Sequence, residues 1–297
     1  MTSPYGFGPL TAANADIAAV WGRRTSALSV APSFLASLHG ITIDRLLEER
    51  SLRPPNISFA RDGTQLPDDE VIIRGTPSAN PDAGLLDRAK ARSLVAQGAT
   101  VMVYQAHHLI GSLGLITARI SAALRASCGT TVFHTPARAP GLGWHRDGQH
   151  VVAVQIAGSK EWRVERSVPS RWWTAGALVS GGPDTDVAHV TLRRGEALYM
   201  PPGVAHTAQA TDESSTHVSF VVQEPETKDL TLAMFERASR YVSTRLEGGP
   251  LAERRTRAAA VAREFASAVH ELDVDELLAM VEEDATAAGQ PPAGPSE

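Results

Sequence analysis

The chain has 297 residues and a formal net charge of −5 at pH 7, with 43% hydrophobic and 21% charged residues. This composition is typical of a folded protein with a buried core, and the charge gives no electrostatic case for nucleic acid or an anionic membrane as a partner. The single cysteine, Cys128, excludes an internal disulfide and thiolate-rich zinc or iron–sulfur sites, so any metal must be held by His, Asp or Glu.

The sequence also bears on location. The N-terminus has no basic start followed by an apolar run, and no stretch approaches the roughly 20 apolar residues of a membrane span. A single cysteine fits a reducing compartment. Together these features predict a cytoplasmic protein without a membrane segment.

Residues 1–98 have a mixed character and are predicted to form an N-terminal α/β region that packs on the core. Periodicity and end signals predict three helices, the first capped by Asn14 and the last ended by Gly98. A strand is predicted before the turn Asp62-Gly63. The helices cover 14–21, 43–49 and 85–97, and the strand covers 57–60.

Residues 99–224 are predicted to form the β core. A strand over 100–104 and a helix over 113–126, stopped by Gly129, lead into short β-branched runs that Gly, Pro and Asp separate. Several short strands with turn signals between them are typical of a barrel or a sandwich. The predicted strands cover 130–135, 151–156, 161–165, 187–191, 197–200 and 217–222.

The C-terminal sequence is rich in Ala, Arg and Glu with helical spacing. Helices are predicted over 229–246, 251–270 and 274–283, within a helical region 225–286. The tail 287–297 is rich in Gly, Pro and Ala and is predicted to be disordered. Because such helices need a surface against which to bury their apolar faces, this region is a candidate interface.

His145 and Asp147 form an H-x-D motif. Residues i and i+2 of a strand point to the same face, so the imidazole and the carboxylate can bind one metal. His206 follows a Pro-Pro-Gly turn and can supply a third ligand from a strand that is distant in sequence but adjacent in space. Two histidines and one carboxylate form the facial triad of non-haem iron(II) sites, which leaves coordination positions open. H-x-D alone is a weak signal, since a surface strand with polar residues has the same pattern.

Lys160 follows a tight turn at Gly158-Ser159 and can lie on the next strand, facing inward. The alternative is a solvated hairpin lysine, which has the same local sequence. An oxygenase that uses a dicarboxylate needs a cation of this kind to hold the distal carboxylate. His217 alternates with Ser219 and is expected on the same face, where it is a candidate for a supporting contact.

Four segments occur in the same order as in the JmjC-type, cupin-like oxygenases, and the chain resembles the members of that family that hydroxylate ribosomal proteins. The segments are VFHTPARAPGLGWHRD (132–147), VQIAGSKEWRV (154–164), GEALYMPPGVAH (195–206) and STHVS (215–219). The resemblance implies a mainly β fold with some α structure. Its core is a double-stranded β-helix, the jelly-roll of the cupins, with a mixed N-terminal region and with C-terminal helices that mediate homodimerisation.

The resemblance also assigns the site. The implied iron(II) ligands, and the catalytic centre, are His145, Asp147 and His206. The implied contacts to the co-substrate 2-oxoglutarate are Lys160 and Ser219. Thr131 and Phe133 stand where the family often has an amide or hydroxyl side chain and a tyrosine near the co-substrate. Phe133 therefore removes a hydroxyl group and a hydrogen bond.

The function implied is iron(II)- and 2-oxoglutarate-dependent hydroxylation of a peptide or protein side chain, such as an Arg or His of a ribosomal protein. The reaction consumes O₂ and releases succinate and CO₂. Two alternatives remain open: hydroxylation of a small molecule or a biosynthetic peptide, and a non-catalytic metal-binding cupin that acts as a sensor or scaffold. Lys160 discriminates against the last, because a scaffold does not need a co-substrate cation.

Overall fold

The computed structural model describes residues 17–49, 51–75, 80–169, 173–177, 182–183, 186–242 and 250–288. The α-helices in this part of the chain are α1 (Ile17–Val20), α2 (Pro32–Ser37), α3 (Ile43–Leu47), α4 (Arg88–Ala96), α5 (Gly111–Leu124), α6 (Thr227–Ser239), α7 (Leu251–His270) and α8 (Val274–Ala288). Two short 3₁₀ helices cover Asp68–Glu70 and Ala106–His108.

The strands form two antiparallel sheets. They are β1 (Ser26–Ser29), β2 (Ile57–Arg61), β3 (Thr64–Gln65), β4 (Thr100–Tyr104), β5 (Ser127–Thr135), β6 (His145–Arg146), β7 (His150–Ala157), β8 (Ser159–Glu165), β9 (Gly176–Ala177), β10 (Val187–Arg193), β11 (Glu196–Met200), β12 (Ala205–Ala210) and β13 (Ser215–Gln223). The larger sheet has the order β1-β11-β7-β13-β5-β4-β2-β3, and the smaller has the order β10-β8-β12-β6-β9. The prediction of a β core with a mixed N-terminal region and C-terminal helices is confirmed.

Burial patterns show which face of each sheet covers the core. In β7, the residues from His150 to Ile156 are all buried, because the strand lies inside the larger sheet with covered faces on both sides. In β8, Lys160 and Trp162 are buried while Glu161 and Arg163 are exposed, so one face of the smaller sheet points inward and the other meets solvent.

The N-terminal region supplies strands to the larger sheet as well as helices that cover it. β1 pairs with β11 at one edge, and β2 pairs with β4 near the other. Phe34 of α2 packs beside Phe220 of β13, with ring centroids 5.8 Å apart. The predicted cap Asn14 lies outside the described residues.

Several predicted helix boundaries differ from those of the structure, and two of them have a clear local cause. α4 begins at Arg88 instead of residue 85, because the Asp87 side chain accepts a hydrogen bond from the backbone N–H of Lys90 and caps the helix. α5 ends at Leu124 because Arg125 adopts a left-handed conformation with φ of 49°. Gly129, which was predicted to stop this helix, lies inside β5.

The C-terminal helices pack on one another and on the core. Ala233 of α6 packs with Leu277 and Val281 of α8 in a small apolar cluster, and α8 also contacts α5 and β5. α8 continues to Ala288, so the predicted disordered tail begins too early; residues 289–297 lie outside the described part of the chain. Among the helices described, none is long and apolar enough to cross a membrane.

Candidate metal and co-substrate site

The three predicted ligands converge. β6 pairs with β12 so that His145 lies directly opposite His206, and Asp147 follows one residue after the end of β6. One ligand atom from each of the three side chains lies within 4.8 Å of the others. The His145 and His206 ring centroids are 4.1 Å apart, and His206 Nε2 lies 3.6 Å from Asp147 Oδ2.

The histidine rings are oriented for metal binding. His145 Nδ1 lies 2.8 Å from the carbonyl oxygen of Gly143, and His206 Nδ1 lies 3.1 Å from that of Val204. Each Nδ1–H therefore donates to a carbonyl, which leaves the Nε2 lone pair free for a metal. Burial, followed by the nearby His145, lowers the pKa of His206 to about 4, so its imidazole stays neutral. This donor set fits a divalent iron ion.

A buried ion pair holds the two ligand segments together. Arg146, between the two ligands of the H-x-D motif, points away from them and pairs with Glu165 at the end of β8. Arg146 also donates to the carbonyl of Gly203, and Glu165 accepts the N–H of Ala205 at 2.8 Å. The Gly203 N–H donates to the carbonyl of Asp147 at 2.8 Å. The turn before His206 is thereby fixed to the segment that carries the other two ligands.

We expect Arg146→Met to weaken metal binding about 10- to 100-fold, which is the usual cost of losing a residue that orients metal ligands. It also leaves the buried Glu165 carboxylate without its arginine, which destabilises the fold by about 3–5 kcal/mol. Titration calorimetry with Co(II) and thermal unfolding measure the two effects separately. The double variant Arg146→Met, Glu165→Gln should recover stability and not affinity; a Co(II) affinity of Arg146→Met within twofold of wild type would contradict the role.

A cavity of about 320 Å³ lies between the two sheets and reaches the metal ligands. All of the residues predicted for metal or co-substrate line it: Thr131, Phe133, His145, Asp147, Lys160, His206 and Ser219. The structure adds lining residues that were not predicted, among them Tyr104, Gln149, Val151, Trp162, Met200 and Ala208. That Trp162 lines the cavity could have been predicted, because it alternates with Lys160 on one strand and therefore points to the same face. Tyr104 lies on a predicted strand that precedes the motifs, and its sequence carries no signal for the site.

Lys160 is buried in the cavity wall. Lys160 is only 2% exposed, and its Nζ donates a hydrogen bond to Thr135 Oγ1 at 2.9 Å. Burial lowers the pKa of Lys160 to about 7, and no described carboxylate offsets that effect. The solvated-hairpin alternative is therefore wrong. A buried ammonium that has hydrogen-bonding capacity left over is an anion-binding group.

Strand register sets the depth of each residue. β12 pairs with β8 so that His206 faces Val164, Ala208 faces Trp162 and Ala210 faces Lys160. Lys160 thus lies four residues along β8 from the level of the metal ligands, about 13 Å along the backbone at 3.3 Å per residue. Its side chain spans part of that distance, which leaves room for a short dicarboxylate between the amine and the metal.

The other predicted contacts lie on facing strands of the larger sheet. Thr131 of β5 pairs with Ser219 of β13, and both line the cavity. Phe133 pairs with His217, and their rings stack with centroids 4.6 Å apart and an interplanar angle of 7°. His217, expected on the face of Ser219, lines the same cavity.

The family model of the JmjC domain matches residues 114–230. The chain carries a JmjC domain. The matched segment contains the strands from β5 to β13 and all of the predicted site residues, which lie between Thr131 and Ser219.

Two curated relatives match part of the chain. Ribosomal oxygenase 2 of Bos taurus is 32% identical over 126 residues, which are 41% of this chain and 27% of the relative. The bifunctional lysine-specific demethylase and histidyl-hydroxylase NO66 of Dictyostelium discoideum is 30% identical over 96 residues, which are 31% of this chain and 19% of the relative. The chain therefore matches less than a third of the length of either relative.

Solved structures show the same fold around the JmjC domain. YcfD, a ribosomal oxygenase from Escherichia coli in complex with cobalt and 2-oxoglutarate, matches with a TM-score of 0.57 and 15% identity, over 97% of this chain and 75% of that chain. Another YcfD structure matches with a TM-score of 0.52 and 16% identity, over 86% and 68%. At these identities the likeness concerns the fold, and the predicted jelly-roll core with C-terminal helices is confirmed.

Proposed function

We propose that the chain is an iron(II)- and 2-oxoglutarate-dependent oxygenase that hydroxylates a peptide or protein side chain. The observation that carries this proposal is one cavity that contains three converging metal ligands and a buried lysine with no carboxylate partner among the described residues. Iron(II), when bound, supplies the activation of O₂, while one oxygen atom goes to the substrate C–H bond and the other to succinate, with loss of CO₂.

The side chains of this chain bind and orient. His145, Asp147 and His206 would hold the metal, and all three line the cavity. Lys160 holds the distal carboxylate of 2-oxoglutarate through charge-assisted hydrogen bonds. Ser219 and Thr131 supply hydroxyl groups beside the co-substrate. The apolar lining, including Val151 and Met200, excludes water while the substrate carbon is held near the metal.

The substrate proposed is an Arg or His side chain of a ribosomal protein. The names of the similar ribosomal oxygenases support the ribosomal part, and the name histidyl-hydroxylase supports His, while Arg rests on the family resemblance. Incubating the iron-loaded protein with 2-oxoglutarate, O₂ and peptides from ribosomal proteins should give succinate together with a peptide 16 Da heavier, the mass of one oxygen atom. Succinate formation stimulated only by small molecules would favour the small-molecule alternative. Metal binding with neither 2-oxoglutarate binding nor succinate formation would favour a non-catalytic cupin. The cytoplasmic location stays a prediction.

The pKa of Lys160 predicts a pH dependence for co-substrate binding. The amine must be protonated to hold the carboxylate, so affinity for 2-oxoglutarate is full below pH 7 and falls above it, by up to about tenfold per pH unit. Calorimetric titrations of the Co(II)-loaded protein between pH 6 and 9 measure this slope. Lys160→Arg should remove it, because an arginine stays protonated throughout the range. A slope that persists unchanged in Lys160→Arg would assign it to another group.

We also propose that the C-terminal helices form the homodimer interface. Leu232 and Phe235 of α6 are 57% and 58% exposed, and α7 buries none of its described residues. Exposed apolar side chains clustered on packed helices are typical of an association surface. Light scattering after gel filtration should give a dimer for the full chain and a monomer for Leu232→Asp, Phe235→Asp. Leu115→Asp, which changes an exposed leucine on α5, is the matched control and should stay dimeric; a monomeric wild type would contradict the proposal.

A further inference from the structure

His217 is a polar residue of the cavity whose hydrogen bonding is incomplete. It is 2% exposed, and its Nδ1 is buried without a hydrogen-bond partner among the described residues. Buried polar atoms in native proteins are nearly always paired, so an unpaired one calls for an explanation, such as a group that binds there. His217 lines the cavity, which gives a ligand access to the ring.

The ring is held in a fixed orientation. It stacks on Phe133, with centroids 4.6 Å apart, and meets Trp162 edge-on, with centroids 5.3 Å apart. Its strand, β13, is paired on both sides, with β5 and β7. A ring that is fixed by packing needs no reorganisation to bind a ligand, so its hydrogen bond costs little conformational entropy.

The position of the ring points to the class of ligand. The rings of Phe133, His217 and Trp162 contact one another in the cavity wall. The Lys160 amine lies 5.9 Å from the centroids of the Phe133 and Trp162 rings, and the Trp162 centroid lies 6.1 Å from that of His206. Trp162 Nε1 is also buried without a partner in the described part of the chain. A lysine amine with N–H groups to spare, next to two unpaired ring nitrogens, is a set of donors for a carboxylate.

We propose that His217 donates a hydrogen bond to the distal carboxylate of the bound co-substrate, beside Lys160. The inference rests on the proposed function, because it concerns the co-substrate of that reaction. Phe133 has no hydroxyl group to offer at this level, and the histidine stacked on it supplies a donor in its place. His217 therefore selects 2-oxo acids that carry a second carboxylate over those that do not.

The test compares ligands that differ only in the distal carboxylate. Binding of 2-oxoglutarate and of 2-oxobutyrate, which lacks that carboxylate, is measured by calorimetry on the full chain loaded with Co(II) under anaerobic conditions. His217→Phe keeps an aromatic ring against Phe133 and removes both ring nitrogens. We expect it to weaken 2-oxoglutarate about tenfold or more, in line with one hydrogen bond to a charged group. The affinities for Co(II) and for 2-oxobutyrate should stay within twofold.

Two further variants separate a hydrogen bond from packing. His217→Asn keeps an N–H donor and should retain more 2-oxoglutarate affinity than His217→Phe. Thr216→Val changes the neighbouring residue, whose hydroxyl bonds His134, and should leave all three affinities unchanged. Equal weakening of both 2-oxo acids by His217→Phe would overturn the inference in favour of packing, and so would undiminished 2-oxoglutarate binding. A wild-type protein that binds Co(II) and not 2-oxoglutarate would overturn the proposed function instead.

Discussion

Asp147→Ala is expected to abolish succinate formation and to lower the affinity for Co(II) by at least about 100-fold, since even residues that only orient metal ligands cost 10- to 100-fold. The substitution removes the sole carboxylate of the metal cluster and leaves two histidines, which cannot hold the metal with the same geometry. Anaerobic Co(II) titration followed by absorption spectroscopy measures affinity and coordination together. His145→Ala and His206→Ala should behave in the same way.

The matched control for this prediction is Asp212→Ala. The Asp212 side chain is 88% exposed and pairs with Arg138 at the surface. Asp212 is not among the residues that line the cavity. It should keep wild-type turnover and Co(II) affinity. If Asp147→Ala bound Co(II) within twofold of the wild type, Asp147 would not be a metal ligand and the proposed metal site would be wrong.

Lys160→Met is expected to raise the 2-oxoglutarate concentration needed for half-maximal turnover by about 100-fold. Methionine keeps most of the buried volume of the lysine while it removes the charge and the hydrogen bonds, each of which contributes about 1.5–3 kcal/mol to a charged partner. Co(II) affinity should be unchanged, because Lys160 is not one of the converging ligands. Lys160→Ala should show the same split, with an additional loss of stability from the space left behind.

Succinate assays over a range of 2-oxoglutarate concentrations measure whether the 2-oxoglutarate requirement of Lys160→Met is raised or unchanged. Lys228→Met serves as control, since the Lys228 side chain is 72% exposed and pairs only with Glu226 in the described structure. An unchanged 2-oxoglutarate requirement in Lys160→Met would mean that another cation holds the distal carboxylate.

The site was predictable from sequence where it depends on strand alternation. Lys160 and Trp162 alternate on β8, and His217 and Ser219 alternate on β13, so that period-two spacing alone places each pair on one face. That β8, β12 and β13 bring their residues to one cavity was implied by the resemblance to the JmjC-type oxygenases and does not follow from spacing. The residues predicted for the metal and the co-substrate meet in one cavity.

The parts that were not predictable depend on tertiary pairing. β12 has few β-branched residues, and it forms because β8 and β6 flank it. Glu165 departs from the alternation of β8, on which it should be exposed; it is buried because Arg146 compensates its charge. The sequence gives no signal that His217 Nδ1 is unpaired among the described residues, because this depends on which side chains the fold places beside the ring.

The depth of Lys160 has a kinetic consequence. The lysine lies farther inside the cavity than the metal ligands, of which Asp147 has a side chain 37% exposed. A dicarboxylate must therefore pass the metal to reach the amine, and a peptide seated over the metal closes that route. In an enzyme of the proposed kind, substrates add in a compulsory order, with the co-substrate first. A peptide present in excess would then trap the metal-loaded protein in an unproductive complex, visible as substrate inhibition that high 2-oxoglutarate relieves.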